Sequence, residues 1–69
     1  MEDHVYKKIE IIGSSEVSSD AAVENAIARA GKSIHHLRWF EVVETRGSVE
    51  DGKIKRWQVT IKIGFTMNS

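Results

Sequence analysis

Apolar residues along this chain follow two periods, and the changes from one to the other lay out the fold. In HVYKKIEIIG, residues 4–13, Val5, Lys7, Ile9 and Ile11 alternate with Tyr6, Lys8, Glu10 and Ile12. The alternation predicts a half-buried strand that Gly13 ends. The polar run SSEVSSD after it reads as a loop that finishes in a helix start. Ser18 or Ser19 can accept a hydrogen bond from the free N–H groups of the first turn, and Asp20 suits the positive end of the helix dipole. Val23, Ile27, Ala30, Ile34 and Leu37 then recur at steps of four and three. This stripe predicts an amphipathic helix running to about His36, with Glu24, Arg29 and Lys32 off the apolar face. Gly31 falls inside it, where glycine costs about 1 kcal/mol relative to alanine.

Period two returns in RWFEVVETRG, residues 38–47, and in RWQVTIKIGF, residues 56–65. Asp51-Gly52 lies between them, the pair that suits a type I′ hairpin turn because both central residues need positive φ. The predicted class is α+β in the order β-α-β-β, a three-stranded antiparallel sheet packed with one helix. The second face of the sheet has no cover within the chain. In the last strand Trp57, Val59, Ile61, Ile63 and Phe65 share one face, the expected core face. With the turn centred on Asp51-Gly52, Glu50 falls opposite Lys53, Val42 opposite Ile61 and Phe40 opposite Ile63. The same register puts Trp39 opposite Gly64 and Thr45 opposite Gln58. Trp39, Val43, Thr45 and Gln58 then lie on the face turned away from the helix. Glu44 would point into the core opposite Val59, so a β-bulge or strong twist is expected nearby.

At 69 residues the chain is expected to form one domain, residues 1–69, near the lower limit for a self-sufficient core. It has no cysteine, which excludes disulfides and thiolate metal sites and leaves assembly as the expected support. The N-terminus MEDHVYKK is charged and lacks the apolar stretch of a signal peptide. No apolar run reaches the roughly 20 residues of a membrane helix. The expected location is the cytoplasm. Ten basic residues balance ten acidic ones, so no overall field draws the chain to nucleic acid or anionic lipid.

An indole on an uncovered sheet face has two readings. It can anchor an interface between subunits. It can also offer a flat surface to a planar ligand. Gln58 adds a donor and an acceptor side by side, a match for the imide edge of a flavin or a nucleobase. Gly64 would leave room beside the indole. Both readings hold together if the pocket lies between subunits.

VYKKIEIIGSS, AIARAGKSIHHLRWFEVVETRG and WQVTIKIGF together resemble the dodecins, small flavin-binding proteins that assemble as hollow shells of twelve subunits. The resemblance spans nearly the whole chain. It implies a homododecamer that stores, buffers or photoprotects free flavin without turnover. Trp39 would cover one face of the isoalloxazine ring, with two flavins stacked between two such tryptophans across a twofold axis. Gln58 would hydrogen-bond the pyrimidine-like edge. Glu44 would approach the ribityl chain, and Arg46 a ribityl or phosphate group. Thr45, placed on the same face by register, completes the expected cofactor-binding set. Riboflavin, FMN or lumichrome is the implied ligand, and some bacterial members also bind coenzyme A. Many bacterial relatives carry arginine directly after the GF pair, where this chain has Thr66, which weakens a phosphate clamp.

Three other functions compete. A flavin-dependent oxidoreductase would need acid–base groups, yet His35 and His36 are sequence neighbours, expected as solvated helix-end residues, and His4 stands alone. There is no HExxH and no glycine-rich phosphate loop. Ser14, Ser15, Ser18 and Ser19 read as turn and cap residues. RNA binding would need a basic track beside Trp39, but Glu41, Glu44, Glu50 and Asp51 intersperse with Lys53, Lys55, Arg56 and Lys62. A ligand-free structural shell leaves Gln58 unexplained.

Overall fold

The structure is a computed structural model and describes residues 3–67. Four elements follow in order: β1 (Tyr6–Ser15), α1 (Ser19–Gly31), β2 (Leu37–Glu50) and β3 (Lys53–Thr66). The sheet is antiparallel with the order β1-β3-β2, so the most apolar strand takes the middle. The expected α+β class, element order and sheet are therefore present. Asp51 and Gly52 have φ of 54° and 72°, the positive values that a type I′ turn requires. Ile61, Ile63 and Val59 are the largest fully buried side chains, with Trp57 packed against them.

The helix is shorter and rotated relative to the periodicity. It ends at Gly31, not near His36, and its buried face is Ala22, Ala26 and Ala30. Val23 and Ile27 are only partly buried at its margin. The stripe of large residues marked the edge of the contact, because its centre is made of small residues that let the helix approach the sheet closely. Gly13 is the counterpart on the strand. A Cβ there would collide with the Ala22 carbonyl oxygen and the Ala26 side chain. Gly13 thus does not end β1, which continues through it to Ser15.

At its start α1 is capped as expected. The Ser18 hydroxyl accepts from Ala21 N at 3.0 Å, and Asp20 lies in the first turn. At its end Lys32 N bonds the Arg29 and Ala30 carbonyls, a tightening last turn. His35 and His36 therefore lie beyond the helix, in the link to β2, and His36 (φ 66°) bends the chain into the strand.

α1 rests on β1 and β3 and scarcely touches β2. One helix thus covers two strands of the helix-side face rather than three. A cleft of about 450 Å³ remains beside it, walled by Val23, Ile27, Phe40 and Val42 among others. Beyond Trp57, β3 has no β1 partner, so the β2–β3 hairpin projects as a two-stranded arm. Val49 and Ile54 stand exposed on that arm, and a two-stranded ribbon is at best marginally stable alone in water.

Close packing at Gly13 separates two otherwise similar substitutions. Gly13→Ala pushes a methyl into helix backbone and is expected to destabilise the fold by about 2 kcal/mol or more. Gly31→Ala meets only Leu37 Cδ1 at 3.9 Å. It is expected to be neutral or to stabilise by about 0.5–1 kcal/mol through helix propensity. Urea midpoints of the two variants measure the difference.

Candidate ligand-binding site

The site is built on β2 and β3, and three irregularities in their pairing decide which side chains meet. The register slips at Arg38, at Val43 and between Ser48 and Val49. The slip at Val43 is the expected bulge. Before it, Trp39 pairs with Gly64, Phe40 with Ile63 and Val42 with Ile61, as the hairpin turn predicts. After it, the extra residue in β2 shifts the pairs from Glu44 to Ser48 by one, and the irregularity between Ser48 and Val49 restores the turn's register at Val49–Ile54 and Glu50–Lys53. Glu44 moves from Val59 to Thr60, out of the core and onto the open face. Thr45 moves to Val59 and hence to the helix side, so it does not share a face with Gln58 as expected. Arg46 takes the place opposite Gln58.

Trp39 lies over Gly64. A Cβ at position 64 would fall among the six-ring atoms of the indole, which shows one ring face laid directly on the strand. Gly64 therefore makes room under the indole, not beside it for a ligand as the sequence suggested. The Tyr6 ring stands against the indole at 5.1 Å between centroids and 71° between planes. The indole N–H donates to Glu41 Oε2 at 2.9 Å. The same oxygen accepts from Lys8 Nζ at 3.3 Å. Trp39 keeps 38% of its surface exposed. A large apolar ring held on one face and open to solvent is a stacking platform. Glu41 carries a pKa below the usual carboxylate range, through the Trp39 hydrogen bond first and Lys8 second.

Gln58 is half-buried, and its Oε1 accepts from Arg46 Nε at 3.0 Å. A guanidinium can only donate, so the amide oxygen must face Arg46 and the amide NH₂ must point elsewhere. Arg46 thus orients Gln58 within this chain. Trp39 and Gln58 are on the same face but not together. From position 64, where the indole sits, to position 58 the strand runs about 20 Å. One three-ring system stacked on the indole does not reach the Gln58 of its own chain.

Two further ion pairs lie on or beside the arm. Arg56 meets Glu16 at 2.8 Å and Lys55 meets Glu50 at 3.5 Å, which breaks up any basic track on the arm. Arg38, bulged beside the indole, donates from Nε to Thr66 Oγ1 at 2.9 Å. The sequence offered no role for Arg38, since its partner is set by the return of β3. Among the described residues no group of three or more His, Cys, Asp or Glu side chains could hold a metal ion. No helix among them is long and apolar enough to cross a membrane.

Comparison with known proteins places this architecture. The dodecin family model matches residues 5–68. The chain belongs to the dodecin family. It is 46% identical over 63 residues to a dodecin of Thermus thermophilus, covering 91% of each chain. A calcium dodecin of Mycobacterium tuberculosis is 32% identical over 63 residues, covering 91% of this chain and 89% of that one. The structure of the dodecin from Streptomyces davaonensis superposes with a TM-score of 0.94 at 46% identity, over 99% of this chain and 100% of that one. The family resemblance drawn from the sequence is thereby shown, and with it the fold.

Seating of the indole on Gly64 is open to a direct check. Gly64→Ala should lift the ring off the strand without opening the core, whose large side chains point the other way. The expected outcome is a weakened near-ultraviolet circular dichroism band from tryptophan, with far-ultraviolet spectrum and secondary structure retained.

Proposed function

We propose that this dodecin is a non-enzymatic flavin-binding protein that stores, buffers or photoprotects free flavin within a homododecamer. The observation that carries the reading is the indole of Trp39, fixed on one face by Gly64 and open on the other. A planar aromatic ring is the ligand such a platform suits. Two such platforms facing each other across a twofold axis would enclose a stacked pair of flavins. An excited flavin in contact with an indole loses its energy by rapid electron transfer, which suppresses both emission and photochemistry.

Gln58 is the proposed reader of the ring edge, with its NH₂ turned outward by Arg46. Because it lies about 20 Å along the strand from the indole seat, the site takes Trp39 and Gln58 from different subunits. Glu44, brought to the open face by the bulge, is the proposed contact for a ribityl chain held by a neighbouring copy. Arg46 serves chiefly to orient Gln58, and Thr45, on the other face, has no direct part in this reading. Assembly agrees with the monomer's own shape: the cleft beside α1 and the projecting arm leave apolar surface that further copies would cover.

Riboflavin, FMN and lumichrome share the ring system and the imide edge, so the platform accepts all three. Coenzyme A is a further candidate ligand by family analogy alone. The M. tuberculosis relative is named for calcium, which supports a reading in which ligands vary within the family.

Titrating riboflavin with the purified apo-protein tests the reading. Emission is expected to fall to a small residual at saturation, and Trp39→Ala to abolish most of that loss. Gln58→Ala is expected to leave quenching at saturation intact while weakening affinity about three- to tenfold, the value of one hydrogen bond. Full emission at micromolar wild-type protein contradicts the proposal and leaves Trp39 an interface anchor.

A further inference from the structure

Among the described residues Glu41 is the one charged side chain hydrogen-bonded to the indole, and nothing in the reading above needs it. Its carboxylate accepts the Trp39 N–H at 2.9 Å and is joined to β1 by Lys8 at 3.3 Å. Lys62 of β3 is its register partner, and Lys62 in turn pairs with Glu10 of β1. The groups around Glu41 are thus Lys8, Lys62 and the indole N–H in its favour, with Glu10 and Glu44 on the same face against it. Tyr6 stands on the indole's other flank, with His4 against Tyr6 at 6.3 Å.

A ring laid on Gly64 alone is free to swivel in its own plane, because glycine offers no ridge to stop it. The hydrogen bond removes that freedom. It ties one ring atom to a carboxylate that is itself tied to a second strand. A carboxylate on the N–H also pushes electron density into the indole and makes it a better one-electron donor.

We propose that Glu41 is a positioning residue of the stacking site, fixing the in-plane angle of Trp39 and strengthening it as an electron donor to a bound flavin. This inference rests on the proposed flavin function. Quenching passes one electron from the indole to the excited ring and back, so no bond is made or broken and no further oxidant is required. With Trp39 and Lys8 both favouring the charged form, the link persists as pH falls and is lost only below the ordinary carboxylate range.

Two measurements test it, one without flavin and one with. In the apo-protein, the indole ¹H–¹⁵N cross-peak of Trp39, assigned with Trp39→Phe, is expected downfield of a solvent-exposed indole. It should titrate with one transition below the ordinary carboxylate range, absent in Glu41→Gln. A transition near neutral pH, or none in the wild type, overturns the link by pointing to a histidine or to no titrating partner. With riboflavin, Glu41→Ala is expected to weaken binding about three- to tenfold. It should also raise the residual emission of the saturated complex severalfold. Glu41→Gln, which keeps an uncharged acceptor, should restore affinity but not the depth of quenching. Binding and residual emission unchanged in both variants overturn the inference and leave the flavin function standing. A wild type that binds no flavin overturns the function, while the apo-protein titration still decides whether Glu41 holds the indole.

Discussion

Everything proposed for this protein depends on an indole resting on a glycine. Gly64 sits on the central strand, and only there does the sheet lack a side chain to keep the Trp39 ring upright. Laid flat, the ring covers the gap in the strand with one face and presents the other to solvent. An aromatic residue over a strand glycine also repairs a weak point in the sheet, since glycine gives a strand nothing to pack. The same contact thus serves stability and, in the proposed function, recognition. Tyr6 and Glu41 then hold the ring from two sides, each from a different strand.

A second close approach shapes the rest. Gly13 and the alanine row of α1 bring the helix down on β1 and β3, which leaves β2 bare on the same side. The chain buries few large side chains and keeps Phe40, Val42, Val49 and Ile54 in the open. A domain of this size without disulfides has little stability to spare. Further copies that cover the cleft and the arm would supply what the monomer lacks. The proposed ligand site has the same requirement, because its two recognition residues are too far apart within one chain.

Strand alternation and the Asp51-Gly52 turn made the fold legible, since both are local signals with fixed geometry. The register was correct from the turn's first pair at Glu50–Lys53 and again at Val42–Ile61, Phe40–Ile63 and Trp39–Gly64. The misplaced carboxylate at Glu44 even revealed the bulge. What alternation could not give was the bulge's position within the run, and one residue of error moved Thr45 to the wrong face. The helix departs from its periodicity for a related reason. Large apolar residues dominate a periodicity, whereas the packed face here is small by necessity. Glu41 and Arg38 were invisible because their partners, Lys8 and Thr66, come from strands distant in sequence.

The separation of Trp39 and Gln58 makes the central claim testable by mixing chains. Trp39→Ala chains, which do not quench, and Gln58→Ala chains, which quench but bind more weakly, are unfolded, combined and refolded together, and the mixed assemblies are titrated with riboflavin. If the site draws its two residues from different subunits, a fraction of sites set by random mixing regains both, and tight, quenching binding returns in that fraction. If the mixed assemblies form but bind no better than a simple blend of the two parents, the residues act within one chain and no site is shared between subunits.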